Sequence, residues 1–479
     1  MSKKFIYSLI AVFLISFFMI SSSIGKKDGL LEVFKKFIPE NIKIKLKNTF
    51  FVFKNQKVLK NTIIEQVQTI NDLKIEKKEL LDTMGDIPNL IGHIPLVYSK
   101  QQDFKILGKN YKLKKFKTSF LTIGKYEYGI GSSYLENFES NLIIGSANGI
   151  FGYVNFEDFN NDNLKINVID SNIKDIITYD DFYKTSKYGI KDILIIADKI
   201  YVSYSNQHKK NCFNTSILVA KLNYSKLIFS NFFNPNSCLM KDKETFNAYH
   251  AGGRMVSYLD KEIFFTTGEW RYRNLAQDIN STFGKILSIN IVNKEYKIIS
   301  MGHRNPQGLF YDISNNILYS TEHGPNGGDE INVNNKIGGR IENYGWPISS
   351  YGFHYGSNEY DETNPAYIEA PLNKSHKKYG FIEPLKYYTP SIAISEIIKL
   401  NKDFNDSSKT ELIVGSMGSK IEEGDLSLHH FTLEGDKIVS NIIIKLNERI
   451  RDMIYIKNIN KIFMYLESTA SIGILEHIK

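Results

Sequence analysis

Cysteine, tryptophan and proline are scarce in this 479-residue chain, with counts of 2, 2 and 11. Two cysteines exclude a disulfide-dense scaffold and a four-cysteine zinc site. A surplus of charge is missing as well, except at one end. Residues 1–60 carry twelve lysines, no arginine and three acids (Asp28, Glu32, Glu40), a net of +9, against +8 for the whole chain. Residues 61–479 therefore sum to −1, which excludes a nucleic-acid-binding body. Charged residues are 23% and hydrophobic ones 42%, so wholesale disorder is excluded and a large core is affordable. Abundant instead are Tyr (29), Phe (31) and Gly (32), a mixture that suits a β-rich protein with many tight turns.

The basic end has its own organisation. Lys3 and Lys4 precede an apolar run from Phe5 to Ile24, followed by small residues to Gly25. Residues 1–25 read either as a cleaved secretory signal or as an uncleaved membrane anchor, so an exported, periplasmic location is expected. Residues 26–100 read as a basic arm with a helix, in which Ile63, Val67, Ile70 and Leu73 share a face, and a linker near 85–100. That helix is either a stalk or a piece packed on its own domain. The lysine-rich arm points to anionic lipid as a partner.

Residues 101–479 read as one all-β domain. A unit of glycine, alternating strand, polar turn and second strand recurs at Ile143–Tyr153, Gly189–Tyr204, Gly253–Thr267, Gly308–Ser320 and Ile450–Tyr465, with a weaker copy around Ser395–Gly415. Six antiparallel copies predict a six-bladed β-propeller, whose loops gather a site on one axial face. Cys212 and Cys238 flank an expected strand and are either a disulfide or two buried thiols.

Polar residues concentrate between Gly302 and Pro347, in GHRNPQGL, EHGPNGGDEIN and NYGWP. His303, Arg304 and Asn305 supply cations and amide donors suited to an anion. The Gly324–Asn332 stretch offers oxygen ligands of the kind Ca²⁺ takes, or is a set of turn residues. His250, ahead of Gly252 and Gly253, is either a loop histidine or a catalytic base. Arg449 and Arg451 fall on one strand face and suit a polycarboxylate, or form a solvated edge.

Together YHAGGR, Gln277-Asp278 with GKIL, GHRNPQGL, EHGPNGGDEIN, NYGWP, YTPSIA and RIRD resemble the soluble glucose/sorbosone dehydrogenases, the PQQ-dependent aldose sugar dehydrogenases. The resemblance spans roughly residues 185–475. It implies a six-bladed propeller carrying PQQ and Ca²⁺ that oxidises a sugar at C1 to the lactone and passes electrons to an unidentified acceptor. It implies His250 as the base and Arg304 beside the quinone. Asn305, Arg449 and Arg451 would hold the cofactor, and the carbonyls of Gly324 and Pro325 its calcium. Glu330 and Tyr344 match a second calcium. Three departures stand out: Tyr388 replaces a tryptophan, Lys191 falls in a Gly-Gly-Leu-Leu segment, and Lys420 lies two places late for a cofactor lysine. The competing readings are a non-catalytic calcium propeller that binds a sugar, glycan or protein, and a calcium-dependent hydrolase on the same architecture.

Overall fold

The computed structural model describes residues 92–478 apart from 107–108, 119–130, 406–407 and four single positions. The chain divides into two units, Met1–Thr83 and Met84–Lys479, and every described residue lies in the second. The signal or anchor and the helical arm fall outside the described residues.

The described residues are all-β and propeller-like. Each repeat unit begins with a strand near a common axis: β1 (Ser133–Phe138), β2 (Ile190–Ile196), β3 (Gly252–Tyr258), β4 (Pro306–Asp312), β5 (Ile394–Leu400) and β6 (Ile450–Ile456). Successive strands then run antiparallel outward; β3, for example, is followed by Glu262–Thr267, Lys285–Asn290 and Tyr296–Met301. The hairpin tips use residues that tolerate positive φ, such as Asn316 at 53° and Asn460 at 55°. Five expected copies coincide with the first two strands of a unit. The copy at Ile143–Tyr153 is out of phase: it covers the second and third strands, and the inner strand β1 lies just before it.

Apolar faces of neighbouring units pack on each other, and the packing returns to its start. Ile143 and Phe151 meet Ile193 and Val202, and Leu194 and Ile217 meet Phe265 and Leu287. Phe264 and Ile286 meet Leu309 and Leu318, and Tyr319 and Ile331 meet Ile397 and Val414. Ile413 and Leu428 meet Met453 and Met464, and Phe463 and Ile474 meet Leu135 and Ile144. Such face-to-face burial of Ile, Leu, Val and Phe is the main source of stability.

Closure depends on a hairpin that the sequence reading placed partly in a linker. His93–Ile106 pairs with Asn163–Ser171 of the first unit, and Lys109–Thr118 pairs with Ser471–His477 of the last. Together they join the first and last units into one ten-stranded sheet. The sheet thus starts at His93, inside the stretch expected as linker up to residue 100. Ile94, Leu96, Tyr111 and Leu113 are fully buried. Lys115 meets Glu448 at 3.0 Å, with both side chains buried.

Cys212 and Cys238 are joined, with 5.4 Å between their Cα atoms. The bond ties the start of Cys212–Lys221 to the segment that leads to Leu239–Met240, a short strand pairing back onto it.

Candidate active site

The turn carrying His250 is set by local chemistry. Asn247 caps the 3₁₀ turn Ala248–His250 by accepting from Tyr249 N, and β3 starts two residues beyond His250. The strand next to β3, Glu262–Thr267, is followed by Gly268, where a Cβ would lie 1.9 Å from the His250 carbonyl. Glycine therefore lets the chain pass beneath His250, and Glu269 follows at once. Its Oε1 lies 2.5 Å from His250 Nδ1, with both residues buried. With Glu269 Oε1 as acceptor the ring proton sits on Nδ1, which leaves Nε2 as the accepting nitrogen. Arg304 Nη2 lies 3.4 Å from that Nε2. Burial and the Arg304 charge push the His250 pKa down to about 4, while Glu269 pulls the other way. The result is a neutral imidazole with one oriented lone pair, the form a general base needs.

Arg304 is itself held in place. Nη1 donates to the His323 carbonyl at 2.9 Å and Nη2 to Tyr355 Oη at 3.2 Å, and the guanidinium lies 5.3 Å from the centre of the Trp346 ring. Its backbone N–H donates to Glu322 Oε2 at 2.7 Å. Glu322 Oε1 also lies 3.0 Å from His303 Nδ1, so His303 is a buried supporting residue. Asn305 Oδ1 accepts from Gly252 N at 3.2 Å and from Gln307 Nε2 at 3.1 Å, which ties β4 to the end of the His250 turn.

Arg449 and Arg451 do share a face, and a carboxylate defines it. Glu467, fully buried, receives Arg449 Nε at 2.9 Å on one oxygen and Arg451 Nε at 3.0 Å on the other. Ser132 adds a bond of 2.5 Å. Burial pushes the Glu467 carboxyl up, and the Arg451 and Arg449 charges outweigh it and hold it below the usual range. Arg451 Nη1 reaches Gln307 Oε1 at 3.2 Å.

A cleft with about 480 Å³ of unfilled space, its open mouth included, lies beside Arg451 and Gln307. Ser132, Lys191, Tyr249, Gly252, Gln307 and Arg451 line it, together with Arg254. Arg254 gathers the inner strands: Nη1 contacts Asp452 at 2.6 Å, Glu396 at 2.9 Å and Asp192 at 3.3 Å. Its Nε and Nη2 donate to the carbonyls of Gln307 and Arg451. One guanidinium among three buried carboxylates cannot neutralise them all. Burial drives Asp192 and Glu396 well above the carboxylate range, against the pull of Arg254.

The Gly324–Asp329 loop is organised by Asp329. Its Oδ1 accepts from Gly324 N and Ser391 Oγ, both at 2.9 Å, and its Oδ2 accepts from the N–H groups of Ile392 and Ile394. Both carboxylate oxygens are thereby spent, so the loop presents carbonyls, not side-chain anions. Among the described residues no cluster of three or more His, Cys, Asp or Glu side chains is arranged to hold a metal. Glu330 and Tyr344 are bridged by a histidine: His376 Nε2 lies 3.1 Å from Glu330 Oε1, and its Nδ1 3.0 Å from the Tyr344 carbonyl. The buried imidazole lies between Glu330 and the Tyr344 carbonyl, the two residues expected around a second calcium. Tyr388 is buried with its hydroxyl 3.3 Å from His429 Nδ1. Lys420 is exposed and pairs with Glu423 at 2.9 Å, away from the cleft lining.

A family model described as Glucose / Sorbosone dehydrogenase matches residues 161–471. The chain belongs to this family. Aldose sugar dehydrogenase YliI of Escherichia coli (strain K12) is 27% identical to this glucose/sorbosone dehydrogenase over 293 residues, 57% of this chain and 73% of that protein. The fold resembles the apo-form of the soluble aldose sugar dehydrogenase from Escherichia coli, at TM-score 0.57 and 21% identity over 76% of this chain and 99% of that one. It also resembles the PQQ-bound form of aldose sugar dehydrogenase from Streptomyces coelicolor, at TM-score 0.52 and 17% identity over 79% and 99%. Like its relatives, this member of the family is an oxidoreductase.

Motif reading of this dehydrogenase found the donors and missed the carboxylates that orient them. Glu269 and Glu467 each hold a residue the motifs named, whereas Asp329, which orders the Gly324 turn, lies within EHGPNGGDEIN itself. One signal was available for Glu269: a glutamate following a strand and a glycine, FFTTGE, is a strand-end position facing the axial loops.

Proposed function

We propose that this enzyme oxidises an aldose at C1 to the lactone with PQQ and Ca²⁺, on a six-bladed propeller. The oriented pair of His250 and Glu269, with Arg304 Nη2 3.4 Å from the accepting imidazole nitrogen, carries the reading. Six inner strands around one axis and six inter-unit cores support the blade count.

The cleft chemistry suits an anionic quinone. Arg449 and Arg451 present guanidiniums beside it, Asn305 and Gln307 amides, and Arg304 a cation that meets no carboxylate among the described residues. The Gly324 and Pro325 carbonyls suit a calcium that completes its oxygen shell from a bound carboxylate, since Asp329 is already spent. When bound, PQQ supplies the two-electron acceptor that takes the hydride from C1. His250 Nε2 removes the proton of the anomeric hydroxyl, so the C1 hydrogen leaves with its electron pair. Glu269 stabilises the imidazolium that forms. Arg304, 3.4 Å from His250 Nε2, would supply positive charge to stabilise negative charge developing on a bound quinone. The substrate approaches past the 351–379 segment, whose Tyr355 already touches Arg304.

Export to the periplasm, through residues 1–25 as signal or anchor, is part of the proposal. The Cys212–Cys238 bond supports it, because such bonds persist in oxidising compartments. The test is reconstitution of the purified full chain with PQQ and Ca²⁺, followed by dye reduction with a panel of sugars. Sugar-dependent turnover is expected, and His250→Ala should abolish it with PQQ still bound. Absence of both a bound quinone spectrum and turnover would overturn the reading in favour of a non-catalytic sugar-binding propeller.

A further inference from the structure

Lys191 is a cation in the cleft that the scheme above leaves unused. It sits at the start of β2, beside the inner-strand carboxylate Asp192, and lines the cleft with Arg451 and Gln307. Solvent reaches it through the mouth, while protein surrounds it elsewhere. Among the described residues its one hydrogen-bond acceptor is the Lys187 carbonyl, at 2.9 Å. An ammonium has three donors, so capacity remains for a ligand.

A second observation shows that the fold makes room for this side chain. Gly253, at φ +115°, lies against it: a Cβ at that position would fall 2.2 Å from Lys191 Cβ. The stem therefore crosses the backbone of β3 at a point where only glycine permits it. Charge accounting gives the reason to look for an anion. Arg449 and Arg451 share Glu467, so the three groups sum to +1. That is little for a tricarboxylate. Lys420, the position nearest to the expected cofactor lysine, is exposed and engaged with Glu423. Lys191 brings the local sum to +2.

We propose that Lys191 is a binding residue for the carboxylates of the cofactor, supplying from β2 the ammonium that Lys420 does not. This rests on the PQQ reading above. Burial and the nearby Arg451 charge push the Lys191 amine down to about 7, and an anion beside it favours the protonated form.

The experiment is a PQQ titration of the full-length apo-protein, followed by quinone absorbance at low and high salt, without sugar. The variants are Lys191→Met, which keeps the stem against Gly253 and removes the charge, Lys191→Arg, and Lys420→Met. The expected result is a Kd raised about 10- to 100-fold in Lys191→Met, the worth of a charge-assisted hydrogen bond. Its salt dependence should flatten, Lys191→Arg should recover most of the affinity, and Lys420→Met should match wild type. A Lys191→Met chain that melts like wild type and binds PQQ with wild-type affinity overturns the assignment alone. A wild-type chain that binds no PQQ overturns both this proposal and the cofactor reading.

Discussion

Neutralising Glu269 isolates the part of the site that the motifs did not show. Glu269→Gln keeps the size of the side chain and removes the charge that meets His250 Nδ1 at 2.5 Å. Two effects follow. A charge-assisted buried hydrogen bond is lost, about 1.5–3 kcal/mol, or roughly 10- to 100-fold in rate if it acts mainly in the transition state. The glutamine can also turn its NH₂ toward Nδ1, which moves the ring proton to Nε2 and removes the base. Loss of a buried carboxylate behind a catalytic histidine costs on the order of 10⁴-fold when the tautomer is reversed. The expected fall in kcat is therefore about 10²- to 10⁴-fold, with PQQ affinity unchanged. The pH profile adds an independent sign. His250 is held down to about 4 by burial and Arg304, so kcat/KM should lose its base only as pH falls toward 4, well below the ordinary histidine range. Because Glu269 raises that pKa, its neutralisation should move the acid limb lower still. Stopped-flow reduction of the bound quinone across pH 3.5–8 measures both (roughly the span set by the two histidine values). A variant within threefold of wild type, or an acid limb that rises, would refute the orienting role.

Four further outcomes follow from the same contacts. A chain starting at residue 100 should lose about 3–6 kcal/mol relative to one starting at Gly92, because it discards the fully buried Ile94 and Leu96; equal urea midpoints would contradict the closing hairpin. Replacing Cys212 and Cys238 by serine should cost about 3 kcal/mol for a loop of this length, seen as a lower denaturant midpoint that reductant no longer shifts. Glu467→Gln leaves two guanidiniums without their anion and should cost about 3–5 kcal/mol at neutral pH. Because the Glu467 pKa is depressed, the stability it provides is present above the ordinary carboxylate range and is lost as pH falls through the folded value, so wild type and variant should converge in acid. Calcium titration of the PQQ-loaded enzyme should find one site per chain, since His376 already satisfies Glu330 and Tyr344; a second stoichiometric site would contradict that.

Legibility in the sequence tracked how each residue does its work. His250, Arg304 and the Arg449–Arg451 pair act through rare residue types in tight motifs, and the structure brings His250 and Arg304 into contact and both arginines onto one carboxylate. Glu269 and Glu467 are single acids, 19 and 16–18 positions from their partners, and only strand pairing makes them neighbours. The closing hairpin was obscured differently. Lys109–Thr118 buries alternate residues Tyr111, Leu113 and Lys115 and then shifts phase to bury Phe116 and Thr118, and its lysines resemble the basic arm before it. Its partners, Asn163–Ser171 for one strand and Ser471–His477 for the other, lie so far along the chain that no local pattern reveals them.

The cleft is built on one rule repeated around the axis. Most cations and histidines in and around the cleft are held from behind by a buried carboxylate on another segment, the Arg304 guanidinium being held by a carbonyl and a tyrosine instead. Glu269 stands behind His250, Glu322 behind His303 and the Arg304 backbone, Glu467 behind Arg449 and Arg451, and three acids surround Arg254. Charges buried this way add little net stability, but removal of one partner is costly. Fold and site are thereby coupled through the same groups, and removing Glu467 from behind the arginine pair should move stability and cofactor affinity together. Lys191 departs from the rule, because the contacts around it are a carbonyl and a like charge. The fold therefore gains nothing from its charge, and Lys191→Met should leave stability unchanged while it changes what the cleft binds.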